Sequence, residues 1–129
     1  MTEPTLQWRL DFTESRPLSM NARQHWSTHA RHIRHWRGET KLLALAARIP
    51  PQPAIWIELH YAPRDARRRD TDNLMASLKP IKDGLVDAGI VPDDTRDYVR
   101  WVEPVIDPPS GIGKGHLYLL IQPFTQTEP

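Results

Sequence analysis

From Ile55 to Tyr61 every second residue is a large apolar or aromatic one, with Trp, Glu and His between them. Ile55, Ile57, Leu59 and Tyr61 fall on one face of a strand, and Trp56, Glu58 and His60 on the other. Such a strand is half-buried, so its sheet must be covered on one side and meet polar surroundings on the other. The same period returns in Leu6 to Phe12 (LQWRLDF) and in His116 to Pro123, where Leu117, Leu119 and Ile121 point one way. Arg96 to Val105 reads as a further strand, with Val99, Trp101, Glu103 and Val105 on one side.

Between these segments the apolar period changes to three or four. Trp26, Ala30, Ile33, the stem of Arg37, Thr40, Ala44 and Ala47 predict a helix from about Trp26 to Arg48. It ends before Ile49-Pro50-Pro51, because a residue preceding proline avoids the α region. A second helix is expected from about Asn73 to Ala88, with Asp72 as its N-cap and Gly89 at C′. Pro80 inside it removes a backbone hydrogen bond and predicts a kink or a break. Residues 13–24 and 63–69 read as loops, and Asp107 to Gly115 (DPPSGIGKG) as a mobile connection in which Gly111, Gly113 and Gly115 around Lys114 fit no phosphate-binding loop. The order β-α-β-α-β-β gives an α+β fold: a small mixed sheet with two helices packed on one face, in a single domain over 1–129.

Composition excludes several classes of function. An apolar share of 39% with 26% charged residues suits a folded core, not a disordered chain. The absence of cysteine removes disulfide scaffolds, thiolate-bound zinc, iron–sulfur clusters and thiol catalysis. No apolar run approaches the ~20 residues that cross a bilayer, and MTEPTLQWRLDF lacks the shape of a signal peptide. A soluble cytoplasmic protein with no membrane contact is therefore expected. The net charge of +1 hides a segregation. Residues 16–48 hold seven Lys or Arg against Glu39 alone, a balance of +6, and residues 83–107 hold seven acids against Arg96 and Arg100, a balance of −5. A polyanion-binding surface beside a divalent-metal site would carry charge in this way, as would two solvated faces of opposite sign.

The chemistry concentrates in Arg67-Arg68-Arg69-Asp70-Thr71-Asp72-Asn73-Leu74 and, about twenty residues on, Pro92-Asp93-Asp94. In an extended segment Asp70 and Asp72 project to one side, and two carboxylates so close need a cation between them to stay ionised. Hard oxygen ligands suit Mg²⁺, with Mn²⁺ as a substitute, and Asp94 is the candidate third ligand. The three arginines would hold a phosphodiester for metal-assisted hydrolysis. Taken alone, an Asp-x-Asp before a helix is a turn and an N-cap, and an arginine run is solvated surface.

This block resembles the RusA-type Holliday junction resolvase family, whose signature runs R-R-R-D-x-D-N-L, then a helix with a lysine and an aspartate, then A-G and D-D. The likeness covers residues 64–98 closely, including Lys79, Asp83 and Asp87-Ala88-Gly89 to Asp93-Asp94. Arg16-Pro17-Leu18-Ser19-Met20-Asn21 is similar, more weakly, to that family's early loop. The resemblance implies a RusA-like fold and a homodimeric endodeoxyribonuclease that nicks four-way DNA junctions symmetrically with Mg²⁺ or Mn²⁺, in recombination and repair. It implies Asp70, Asp72 and Asp94 as catalytic metal ligands, with Asp93 as the alternative to Asp94. It further implies Lys79 as the catalytic lysine, and Arg67, Arg68, Arg69, Asn73, Asn21 and Arg23 as DNA contacts. One departure stands out: Lys79 lies seven residues after Asp72 rather than four, which turns it by roughly 60° around a helix. An ion pair with Asp83, four residues on, is its structural alternative.

Other readings of the same residues stay open. They are a DNA-binding module of this fold without catalysis, a nuclease for flaps or forks, and a metal-bound oligomerisation domain. His25, His29 and His32 share a helical face that lines DNA or meets solvent; with no cysteine and no acid in register, zinc is not expected there. The five tryptophans are read mostly as core or dimer interface.

Overall fold

The computed structural model describes residues 6–13, 26–66, 72–109 and 115–124, with 72 and 73 as backbone alone. Its elements are β1 (Trp8–Asp11), α1 (Trp26–Ala46), β2 (Ile55–Ala62), α2 (Asp72–Asp87), β3 (Val99–Trp101), β4 (Val105–Ile106) and β5 (His116–Pro123).

β2 is the central strand. Along one edge it pairs antiparallel with β5 over its whole length, from Ile55 opposite Pro123 to Ala62 opposite His116. Along the other edge it pairs parallel with β3 and then with β4. β1 closes the far side, antiparallel to β5. The sheet is thus mixed, in the order β1-β5-β2-β3, with β4 continuing the β3 edge.

The alternation read from β2 is realised residue by residue: Ile55, Ile57, Leu59 and Tyr61 are buried and the residues between them half-buried. The register sets Ile121, Leu119 and Leu117 opposite Ile57, Leu59 and Tyr61, so two neighbouring strands present one continuous apolar face. Against that face α2 places Leu74, Leu78, Ile81 and Leu85, spaced at four, three and four, and α1 adds Trp36 and Ala44. All belong to one core cluster, so both helices cover the same side of the sheet. The architecture is α+β, as the alternation and helical periods together require.

Both helices end in the same way. At α1, Arg48 N–H donates to Leu45 O (3.0 Å) and Ile49 N–H to Ala44 O (3.4 Å). At α2, Gly89 N–H donates to Val86 O (2.9 Å) and Ile90 N–H to Leu85 O (3.2 Å). These are Schellman closures, with buried Ile49 and Ile90 sealing them. The C′ residue must take a left-handed backbone; Gly89 does so at φ 81°, but Arg48 does so at φ 56° with a side chain. Arg48→Gly is therefore expected to stabilise the fold by up to ~1 kcal/mol, read as a rise in thermal midpoint, with Arg48→Ala giving no such gain.

Three expectations are corrected. The first helix stops at Ala46, and Trp26 stands 76% exposed, outside the buried stripe. Trp36, Thr40 and Ala44 form that stripe, and Trp36 meets Phe12 edge-on with ring centroids 4.9 Å apart. The strand expected over Arg96 to Val105 is instead the two short strands β3 and β4. Pro104 between them has no N–H to give a ladder, and of the supposed inward row only Val99 is buried, while Trp101 and Glu103 are exposed. Finally, of the kink or break expected at Pro80, the break does not occur: α2 is continuous there. Leu78 and Ile81, anchored in the core on either side, outweigh one missing hydrogen bond.

Candidate functional site

The acids that follow α2 return to its flank. Asp94 lies in the turns between α2 and β3, where its own N–H donates to Asp93 Oδ1 (2.7 Å). The Lys79 ammonium donates to Asp94 Oδ2 and, at 3.1 Å, to Asp83 Oδ1 one turn along the helix. Arg37 of α1 reaches the same row, with Nη1 4.0 Å from Asp83 and a two-pronged contact to Asp87 through Nε (2.6 Å) and Nη2 (2.9 Å). Charges alternate along this flank in the order Asp94, Lys79, Asp83, Arg37, Asp87. Hydrogen bonds from Lys79 to Asp94 first, and then to Asp83, push the ammonium pKa up. The reciprocal bond from Lys79 holds the Asp94 carboxyl below the usual carboxylate range. Asp94 is therefore an anion throughout the neutral range, and its side chain is only 20% exposed.

Position 72 opens α2, and Lys79 stands seven residues later. Seven residues amount to nearly two full turns, so the two positions share one stripe of the helix, ~10 Å apart along the axis. The Lys79 ammonium meets Asp94 and, one turn further from position 72, Asp83. Asp94, bound to that ammonium, is the carboxylate that the fold brings back to this stripe. The pairing of Lys79 with Asp83 was legible from their spacing; the second partner, Asp94, was not.

Of the residues singled out from the sequence, Asp94 and Lys79 are brought together. Asp70, Arg67, Arg68, Arg69, Asn21, Arg23 and His25 lie outside the described residues, as do the side chains of Asp72 and Asn73. Gly111, Gly113 and Lys114 lie outside them too. Among the described residues no three His, Asp or Glu side chains are grouped to hold a metal ion. Asp94, the described carboxylate of the expected donor set, is paired with the Lys79 ammonium. Also among the described residues, no helix is long and apolar enough to cross a membrane.

A second polar cluster went unrecognised in the sequence. On the face of the sheet turned away from the helices, His60 sets Nδ1 against Asp107 Oδ1 (2.8 Å) and Nε2 against the Glu58 carboxylate. Asp107 also accepts from the Tyr118 hydroxyl (2.6 Å), and the Tyr118 ring stacks on His60 at 4.7 Å. Burial, with Asp107 next to it, pushes the Tyr118 hydroxyl up to about 12. Burial also works against the charge on Asp107, yet bonds from Tyr118 and His60 bring its carboxyl below the usual range. Arg9 lies 3.8 Å from the centroid of the Tyr118 ring and bonds Asp11 (2.9 Å), which His116 also meets (2.7 Å). The sequence signal was Glu58-x-His60 on the polar face of a strand, but its partners Asp107 and Tyr118 come from distant segments.

The fold and this flank define an α+β protein with a mixed sheet, two helices on one side, and an acidic, lysine-bridged row along the second helix. No family model matches the chain. It is similar to an uncharacterized protein of Xylella fastidiosa (strain Temecula1 / ATCC 700964), at 32% identity over 102 residues, or 74% of this chain. The chain spans 62% of that relative's length.

Proposed function

We infer that the chain is a metal-dependent endodeoxyribonuclease of RusA type that resolves four-way DNA junctions by paired nicks, two copies acting on opposing strands. The observation that supports this most is the return of Asp94 to the stripe of α2 that begins at position 72, directly after Asp70-Thr71-Asp72 in the sequence. Asp70, Asp72 and Asp94 would hold Mg²⁺ or Mn²⁺. Such an ion lowers the pKa of a bound water and stabilises charge on the departing oxygen.

The protein's own residues would do the rest. Arg67, Arg68 and Arg69 would grip the phosphodiester through forked hydrogen bonds, and Lys79 would keep a permanent positive charge beside the carboxylates to counter the phosphate. Asn73, Asn21 and Arg23 would contact the DNA further out. A two-fold pair of sites matches the symmetry of a four-way junction. Binding through arginines should weaken steeply as salt rises. The ion pair of Lys79 with Asp94 is also what a module without catalysis would use to tie its turn to α2, so cleavage must be measured directly.

The test is a labelled four-way junction incubated with the wild type and with Asp72→Asn, with and without Mg²⁺. Metal-dependent paired nicks by the wild type are expected, with flaps and forks cut more slowly. The variant should still shift the junction in a low-salt gel and fail to nick it. A variant that cuts at the wild-type rate, or a wild type that binds without cutting in Mg²⁺ and Mn²⁺, overturns the assignment.

A further inference from the structure

The face of the sheet opposite the helices is covered by no described element, and a cavity of about 240 Å³ indents it between β1, β2, β3 and β5. Trp56 forms a wall, Leu120 and Val102 supply apolar surface, and Glu58, Gln7 and Gln122 bring polar groups. Trp56 is braced by Phe124, edge-on at 5.5 Å. We propose that this cavity is a receptor for a guanidinium group, specifically an arginine side chain presented by a protein partner.

Charge decides the sign of the ligand. The lining holds one carboxylate and no cationic side chain. Glu58 cannot swing freely, because the ring of His60 holds it, and His60 is fixed in turn by Asp107 and by stacking on Tyr118. The His60 side chain is only 13% exposed, so this brace is largely out of water, whereas Glu58 is 39% exposed and open to a ligand. A fixed carboxylate beside a tryptophan face suits a flat cation that donates two parallel N–H bonds, which is the geometry of guanidinium and not of ammonium. Ring stacking adds attraction for a planar cation, and the Gln7 and Gln122 carbonyls can accept its remaining N–H groups.

The same face already uses this chemistry twice within the chain. The Arg9 guanidinium lies over Tyr118 at 3.8 Å, and that of Arg100 over Phe124 at 4.6 Å. Both are committed: Arg9 bonds Asp11, and Arg100 Nε donates to Arg96 O. Neither lines the cavity. Apolar surface in the lining, with Val102 40% exposed, gives neighbouring residues of a partner something to cover. A phosphate-bearing nucleotide is the less suitable occupant, since its anion would meet Glu58 and no cation in the cavity.

The experiment follows the Trp56 indole N–H by NMR, assigned through Trp56→Phe, in EDTA and without DNA. The probes are N-acetyl-arginine amide, its lysine and citrulline counterparts, agmatine, the blocked peptide Gly-Arg-Gly and deoxyguanosine monophosphate. The arginine amide should shift the signal saturably, with the lysine and citrulline compounds at least tenfold weaker. The peptide should bind at least as well as agmatine. Glu58→Gln, which preserves the shape and can still bond His60, should weaken arginine binding tenfold or more while its thermal midpoint stays near the wild type. Equal binding of citrulline, tighter binding of the nucleotide or of agmatine than of the peptide, no saturation with arginine, or an unchanged affinity in Glu58→Gln each overturn the proposal. None of these readouts depends on nuclease activity, so the two assignments stand or fall separately.

Discussion

Asp94→Asn is expected to lower metal-dependent nicking by at least ~10³-fold while leaving the fold and low-salt junction binding close to the wild type. A metal acting as Lewis acid supplies several kcal/mol of transition-state stabilisation, and each 1.36 kcal/mol is tenfold in rate. Loss of one carboxylate from the proposed three-carboxylate donor set would remove much of that. The structural cost is small for a definable reason. Lys79 is 66% exposed and keeps its bond to Asp83 at 3.1 Å. Exposed ion pairs of this kind contribute ~0–1 kcal/mol. The pH dependence runs in one direction. Because the Lys79 bond lowers the pKa of Asp94, its contribution to stability is complete above the ordinary carboxylate value and is lost as pH falls through the lowered one. The wild type and Asp94→Asn should therefore differ little in thermal midpoint at pH 7 and converge in strong acid, whereas their nicking rates should differ at every pH where the wild type cuts. A large drop in midpoint at pH 7 with nicking retained would assign Asp94 to holding the turn and not to catalysis.

The parts of the fold that depend on period alone were legible in the sequence. Ile55 to Tyr61 and Leu117 to Ile121 are buried every second residue as their alternation requires, and Gly89 takes the left-handed backbone expected at the end of α2. What was not legible depends on partners. β2 spans eight residues, and its outer edge is shared by β3 and β4; where the edge breaks is set by Pro104 and by that register, not by the pattern of 96–105 itself. Trp26 carries the right spacing for the buried stripe of α1, but α1 packs mainly on α2, and the narrow face it needs starts further along, at Trp36. In the acidic site, Lys79 and Asp83 were linked by helical spacing, whereas Asp94 joins them through the turns after α2, which no spacing rule reaches. The bond between Arg37 and Asp87 spans 50 residues, and it joined two segments recognised only as oppositely charged. His60 and Asp107, 47 residues apart, meet because β4 lies beside β2.

Two glycines in the interior of helices should respond to the same substitution with opposite signs. Gly84 sits on α2 where α1 crosses it. A Cβ built there would lie 2.6 Å from the Arg37 carbonyl oxygen and 2.7 Å from Thr40 Cβ, both of them backbone or its first side-chain carbon, which no rotamer can move away. Thr40 is fully buried, with its hydroxyl donating to Trp36 O (2.7 Å), so α1 has no slack at this point. Gly38, on the exposed side of α1, would place a Cβ with nothing within 4 Å. Alanine in a helix interior is favoured over glycine by ~1 kcal/mol, and at Gly38 that gain is realised in full. At Gly84 the same gain is set against forcing two packed helices apart, an overpacking cost of ~1–3 kcal/mol that Leu78, Ile81 and Leu85 transmit to the sheet. Gly38→Ala should thus raise the thermal midpoint by a few degrees. Gly84→Ala should lower it, and Gly84→Val, with a larger clash and poorer helix propensity, should lower it by ~10 °C or more. The check is thermal unfolding of the three variants side by side. A Gly84→Ala protein as stable as Gly38→Ala would mean that α1 and α2 do not approach at Thr40 and Gly84 as described.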